Sequence, residues 1–263
     1  MSPEIQATKH CVSEHSILLN VGFTRLAPEQ AENTILDCVE SGAGGYACFS
    51  NVHTTVLANQ NFSYRFALNR STLTFADGKP IYWYSKLKNK ETVYHTPGPD
   101  FMCHMLKKKY RQPIKHYFLG STDEVLSNLV AQTELMYPDA EIVGTFSPPF
   151  RDLSEAEIES MLGNIRKAKP HLVWVGLGAP KQECWMMDYV ERLKPAFLLG
   201  VGAAFDFNAG MKKRAPLSVR KLGFEWLYRL LQEPGRLSGR YFKTNIIFLY
   251  LVIKSFVNPG SIK

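Results

Sequence analysis

No C-x-x-C pair occurs among the 263 residues: the five cysteines, Cys11, Cys38, Cys48, Cys103 and Cys184, are scattered along the chain. Single thiols with no signal-peptide pattern ahead of them suggest neither a disulfide framework nor a zinc site, and a reducing cytosol is the expected compartment. None of the seven histidines stands in an H-x-x-x-H or H-x-E arrangement, so His53, His104, His116 and His171 read as core or surface residues and no metal is expected on them. A G-x-S-x-G element is missing too, which removes the usual signature of a serine hydrolase. No apolar run reaches membrane-spanning length. The run in the tail, Ile246 to Ile253, has eight residues, whereas a spanning helix needs roughly 20.

Acidic residues are scarce at one end. From Met211 to Lys263 eleven Lys or Arg face only Glu225 and Glu233, leaving 20 basic and 22 acidic residues in the rest of the chain. The body is therefore near neutral and the tail carries the excess behind the +7 net charge. Such asymmetry points to an anionic partner for the tail: nucleic acid, a phospholipid surface or a phosphate-bearing substrate. Phe224, Leu227, Leu230 and Leu231 recur there at helical spacing among Arg229, Arg236, Arg240 and Lys243, the pattern of a basic amphipathic helix.

The remainder has a globular composition, with 45% hydrophobic and 21% charged residues, and a length that suits one large domain or one domain with an appendage. Four apolar runs of strand length, at 114–120, 140–146, 171–178 and 196–205, alternate with helical patterns at Ser121 to Met136, Ser154 to Lys167 and Pro180 to Leu193. Ser154 and Glu157 form a capping-box signature, and Pro180 stands at a helix start. Continuous apolar runs one helix apart imply strands buried on both faces. The expected core is thus α/β and Rossmann-like, a largely parallel sheet flanked by helices. A further helix is predicted over Pro28 to Ser41, between short apolar runs at Ile17 to Phe23 and Tyr46 to Phe49 whose pairing the pattern does not specify. The division expected is an α/β core over 1–215 and a basic helical appendage over 216–263.

In open sheets of this kind ligands sit beyond the carboxyl ends of strands, where glycine-bearing loops meet helix N-termini. Here those loops are Gly120-Ser121-Thr122, Gly176-Leu177-Gly178-Ala179-Pro180 and Gly200-Val201-Gly202-Ala203. The second lacks the third glycine of G-x-G-x-x-G; with Lys181-Gln182-Glu183 following it, it suits a diphosphate as well as a plain strand–helix turn. Asp206-Phe207-Asn208 approaches a D-x-D metal signature but lacks its second carboxylate, which disfavours a divalent cation. The stretch "TLTFADGKPIYW", residues 72–83, reads as two strand-like pieces broken at Asp77-Gly78. On the residues alone, that pair is a turn signal first.

The segments "FADGKPIYW", "VGLGAPKQE", "GVGAAFDFNAG", "KRAP" and "GFEWLYRLLQEPGR" occur in this order and spacing. On them the chain strongly resembles the WecG/TagA/CpsF family of bacterial glycosyltransferases, glycosyltransferase family 26, over roughly residues 15–245. The resemblance implies transfer of a sugar from a UDP donor to an undecaprenyl-diphosphate-linked saccharide, by an enzyme peripheral on the cytoplasmic membrane face, in cell-surface polysaccharide assembly. It further implies Asp77 as catalytic base and Asn51, with Ser50 beside it, as the asparagine of a T-x-N segment. Gly178, Lys181, Gln182 and Asp206 fall near the UDP, and Arg229 and Arg236 match appendage arginines, with Arg240 a further cation. Three departures bear on which sugars are used rather than on the reaction: Phe49 at the threonine of T-x-N, His95 in "HTPGPDF" at the family's arginine, and Gly235 and Gly239 at places often basic. One base with direct displacement implies inversion, and cationic side chains in place of a metal would neutralise the departing UDP. No cofactor is expected.

Two other readings remain. An NAD-dependent oxidoreductase on the same core would want the third glycine and an acidic residue at the end of the next strand. A nucleic-acid-binding module would show strongly salt-dependent binding, but the Trp226, Tyr228 and Leu230 interleaving suits an anionic membrane surface better, so no nucleic acid is expected. Self-association into a homo-oligomer is left open.

Overall fold

The structure, a computed structural model, describes residues 15–88 and 93–258; Cys11 lies outside them. In chain order the elements are β1 (His15–Leu18), β2 (Val21–Thr24), α1 (Pro28–Glu40), β3 (Gly45–Ser50), α2 (Val52–Gln60), α3 (Phe62–Asn69), β4 (Leu73–Ala76), α4 (Lys79–Lys88), α5 (Gly98–Lys107) and β5 (Lys115–Gly120). Then follow α6 (Asp123–Met136), β6 (Glu141–Phe146), α7 (Glu155–Ala168), β7 (Leu172–Gly176), α8 (Lys181–Leu193), β8 (Phe197–Gly200), α9 (Ala204–Asn208), α10 (Leu217–Lys221), α11 (Glu225–Gln232) and α12 (Pro234–Val257).

Six strands form one parallel sheet in the order β4-β3-β8-β7-β5-β6. Successive residues of a strand point to opposite faces, and here both faces are covered. Tyr46, Cys48, Val173, Val175 and Leu198 pack with Met186, Val190 and Leu193 of α8. Ala47, Phe49, Phe118, Trp174 and Leu199 pack on the other side with Ile35 of α1, Phe101 of α5 and Leu129 of α6. That double burial is why the strands read as unbroken apolar runs. The three helices expected between them are present, and Ser154 caps α7 in a closed capping box with Glu157. Cys48, Cys103 and Cys184 are free thiols.

Two local expectations are corrected, and the pairing of two runs left open by the sequence pattern is decided. Ile81–Trp83 belongs to helix α4, not to a strand, because Pro80 favours a helix start and Ile81, Tyr84 and Ser85 fall at helical spacing on the buried face. The run 196–205 is extended only to Gly200; Gly202, at φ +54°, turns the chain into α9. Tyr46–Phe49 lies in β3, between β4 and β8, so the N-terminal part joins the main sheet. The run Ile17–Phe23 is a hairpin whose turn residues Leu19 and Asn20 both have positive φ. It is pinned to the sheet edge where the Thr74 N–H donates to Thr24 Oγ1 at 2.9 Å.

In the tail, α12 lies along α2, with Leu237 and Leu251 buried, while the Tyr84 hydroxyl donates to Ser255 Oγ at 2.8 Å. The run Ile246 to Ile253 is divided by this contact. Ile247, Phe248, Leu251 and Val252 face the body, whereas Ile246, Leu249, Tyr250 and Ile253 are exposed. Among the described residues no helix is long and apolar enough to cross a membrane.

Candidate active site

The carboxyl ends of β4, β3, β8 and β7 lie side by side, and the loops leaving them line a cavity of about 560 Å³ whose remaining wall is the C-terminal helices. Asp77 is the first residue past β4. Its carboxylate is held at both oxygens: Oδ1 accepts from the Gly98 N–H at 2.9 Å and Oδ2 from Asn51 Nδ2 at 3.3 Å. Its own carbonyl accepts from His95 Nε2 at 3.1 Å. Burial raises the Asp77 carboxyl above its ordinary range, against the lowering pull of Gly98, Asn51 and, at longer range, Arg229 and Arg214. His95, by contrast, is lowered to about 4, by burial first and by Lys79 second. The imidazole standing near this carboxylate is thus neutral at physiological pH. Asn51 reaches Asp77 because it also caps α2, its Oδ1 accepting from the Thr54 N–H.

Opposite Asp77 lie the β7–α8 and β8–α9 loops. Gly178 adopts φ +78°, a left-handed conformation that costs glycine nothing, and its N–H donates to Gln182 Oε1 at 3.2 Å. The Gln182 amide nitrogen donates to the Gly200 carbonyl and to Glu183 Oε1, both at 2.9 Å. Asp206, in α9, pairs with Lys212 Nζ at 3.0 Å, and Lys212 also reaches Glu233 at 3.1 Å, which in turn holds Arg236. Arg229 stacks 5.4 Å above the Phe207 ring, and Arg240 lines the cavity with no hydrogen-bond partner at Nε among the described residues. Two further arginines tie the tail to the body: Arg214 grips Asp100 with both terminal nitrogens and Glu225 with Nε, and Arg220 adds a bond to Asp100 at 3.0 Å.

A buried carboxylate thus shares one cavity with an array of cations, with helix starts on the sheet side. Such a site can accept a proton at one end and neutralise an anionic leaving group at the other. A model of the "Glycosyl transferase WecG/TagA/CpsF family" matches residues 16–261. The chain belongs to this glycosyltransferase family. Two curated relatives, from Staphylococcus aureus strains MW2 and NCTC 8325 / PS 47, are each 31% identical to it over 198 residues, 75% of either chain. Both are named N-acetylglucosaminyldiphosphoundecaprenol N-acetyl-beta-D-mannosaminyltransferase.

In this glycosyltransferase most of the residues singled out from sequence converge. Asp77, Asn51, His95, Gly178, Gln182, Asp206, Arg229, Arg236 and Arg240 all line the one cavity. Two do not. Ser50 is buried behind it, its hydroxyl shared with Thr54 and Thr55, and Lys181 is exposed at the start of α8, outside the lining. Trp226, expected on an outer apolar face, is 37% exposed and also forms cavity wall, meeting Tyr241 edge-on at 6.1 Å. Sequence reasoning missed Lys212, Arg214, Arg220 and Asp100. Arg214 lies inside "KRAP" and Asp100 inside "HTPGPDF", but a pairing 114 residues apart leaves no local trace. Among the described residues no three His, Cys, Asp or Glu side chains converge as a metal-binding group.

Proposed function

We propose that the chain transfers a sugar from a UDP donor to an undecaprenyl-diphosphate-linked saccharide, with inversion and with arginines in place of a metal. The observation that carries this reading is the Asp77 carboxylate, fixed by Gly98 and Asn51 and lining a cavity walled by the cationic appendage. The acceptor hydroxyl attacks the anomeric carbon as its proton passes to Asp77; the bond from that carbon to the diphosphate oxygen breaks, and UDP leaves with the electron pair. A positioned base contributes about 10²- to 10⁴-fold to such a step. Charge on the departing diphosphate is met by Arg229, Arg236 and Lys212, with Asp206 and Gln182 on the donor side. The relatives' names support an acceptor in which N-acetylglucosamine is linked to undecaprenol through a diphosphate, and they favour N-acetylmannosamine over glucose or a uronic acid as the sugar transferred. The test is a panel of UDP-sugars with a short-chain lipid-diphosphate acceptor, run with and without EDTA. Turnover with one donor that persists in EDTA is expected; loss in EDTA restored by magnesium or manganese would overturn the charge assignment.

The acceptor's lipid brings the reaction to the inner membrane face, and we infer that the appendage lies on the anionic leaflet. Leu231, Phe242, Ile246, Leu249 and Ile253 on the tail helices, and Leu222 in the turn before α11, are each more than half exposed, interspersed with Arg and Lys. Basic residues near such a surface contribute about 1 kcal/mol each. Changing Leu231 and Ile246 together to glutamate is expected to lower sedimentation with anionic vesicles at least about tenfold, since each loses about 1.5–3 kcal/mol of apolar transfer. Unchanged sedimentation would remove the tail from the membrane.

A further inference from the structure

Gln182 spends its whole amide inside the protein. Gly178 offers only an N–H and Gly200 only a carbonyl, so Oε1 must face the former and Nε2 the latter. The second Nε2 hydrogen then falls to Oε1 of Glu183, a side chain with no solvent exposure at all. One amide thus ties the β7–α8 loop to the end of β8, and Glu183 is the only side chain among its three partners. Among the described residues the other carboxyl oxygen, Oε2, has no hydrogen-bond partner within normal distance, nor does the Tyr64 hydroxyl, although Tyr64 lies near enough to act on it.

We propose that Glu183 is a positioning residue for the donor half of the site, acting as a neutral carboxylic acid that holds the Gln182 amide and, through it, both loops. The proposal rests on the UDP-donor reading only for its effect on turnover. With the proton on Oε2, the acid accepts from Gln182 through Oε1 and donates from Oε2 toward Tyr64. Ionised, it would be a buried negative charge behind the diphosphate site, supported by hydrogen bonds from Gln182, its own backbone N–H and Tyr64 but by no cation among the described residues. Among the described residues no cation pairs with it: the titratable groups around it are Tyr64 from α3, Cys48 from β3 and its own neighbour Cys184. Burial raises all three of these, keeping them neutral, and burial also pushes Glu183 itself up to about 7. Because burial raises this carboxyl in the closed structure and hydration would relieve it in an opened one, rising pH shifts the balance toward local opening.

Glu183→Gln reproduces the neutral acid, since its amide donates where the proton sat and its oxygen still accepts from Gln182. Glu183→Leu fills the space and removes the acceptor. Hydrogen exchange at the Gly178 amide, corrected for intrinsic pH dependence, reads the clasp without any ligand, and UDP affinity by calorimetry and kcat/KM read its consequence. From pH 6 to 8.5 wild-type Gly178 protection and UDP affinity are expected to fall about tenfold, while Glu183→Gln stays flat. Glu183→Leu should resemble the high-pH wild type at every pH, mainly through a raised KM for the donor. Wild-type protection that does not change with pH, or a Glu183→Gln protein that keeps the wild-type alkaline fall, would overturn the proposal. If protection behaves as expected but UDP does not bind, the clasp stands and the donor assignment fails.

Discussion

The substitution Asp77→Asn is expected to lower turnover at least about 10²-fold, the usual scale for losing a general base, with UDP affinity within a few-fold of wild type. The fold should survive the change. The oxygen of the introduced amide can still accept from the Gly98 N–H, and only the contact to Asn51 Nδ2 is lost, because two amide donors would then face each other. Kinetics on a lipid-linked acceptor, with circular dichroism and UDP titration as controls, decide the matter; turnover within a few-fold of wild type would return Asp77 to a turn-forming role. The pH dependence has a definite sign. A base works ionised and burial raises this carboxyl, so wild-type activity should fall as pH drops through a value above the ordinary aspartate range. The asparagine variant should lack that limb in its residual activity.

Replacing Arg229 and Arg236 together with alanine is expected to lower kcat/KM by about 10²- to 10³-fold, the scale for removing preorganised charge from a developing anion. The signature differs from that at Asp77, because UDP affinity should fall as well. Arg236 is held by Glu233, whose carboxyl it and then Lys212 pull down to about 2. A diphosphate entering the cavity must therefore compete with a carboxylate for the same cations, an exchange of one anion for another rather than the uncovering of bare charge. Lysine at both positions should restore only part of the rate, since its point charge lacks the planar fork of arginine. Activity of the double alanine protein within about threefold of wild type would leave the leaving-group charge without these partners.

Much of this site was legible locally. Asp77-Gly78 and the glycine loops each stand at or just past a strand end, Asp206 lies in the short helix that follows β8, and continuous apolar runs announced a sheet covered on both faces. The Ser154 cap, the helices after β5, β6 and β7 and the amphipathic tail follow from spacing that any helix must obey. The role of Asp77 was not legible from its own neighbours: a turn aspartate and a held carboxylate have the same sequence, and only Gly98 and Asn51, 21 and 26 residues away, distinguish them. Sequence by itself determined the strands and intervening helices from β5 to α8, and that positive charge gathers at one end, because those depend on side chains adjacent along the chain or one helical turn apart. Tertiary structure alone decided that β3 and β4 extend the same sheet, that half of the Ile246–Ile253 run is turned toward the body while half is exposed, and that Arg214 reaches Asp100. It also decided that the Gln182 amide is used up within the fold. These are pairings between distant segments, set by which surfaces exclude water together, and no local pattern encodes them.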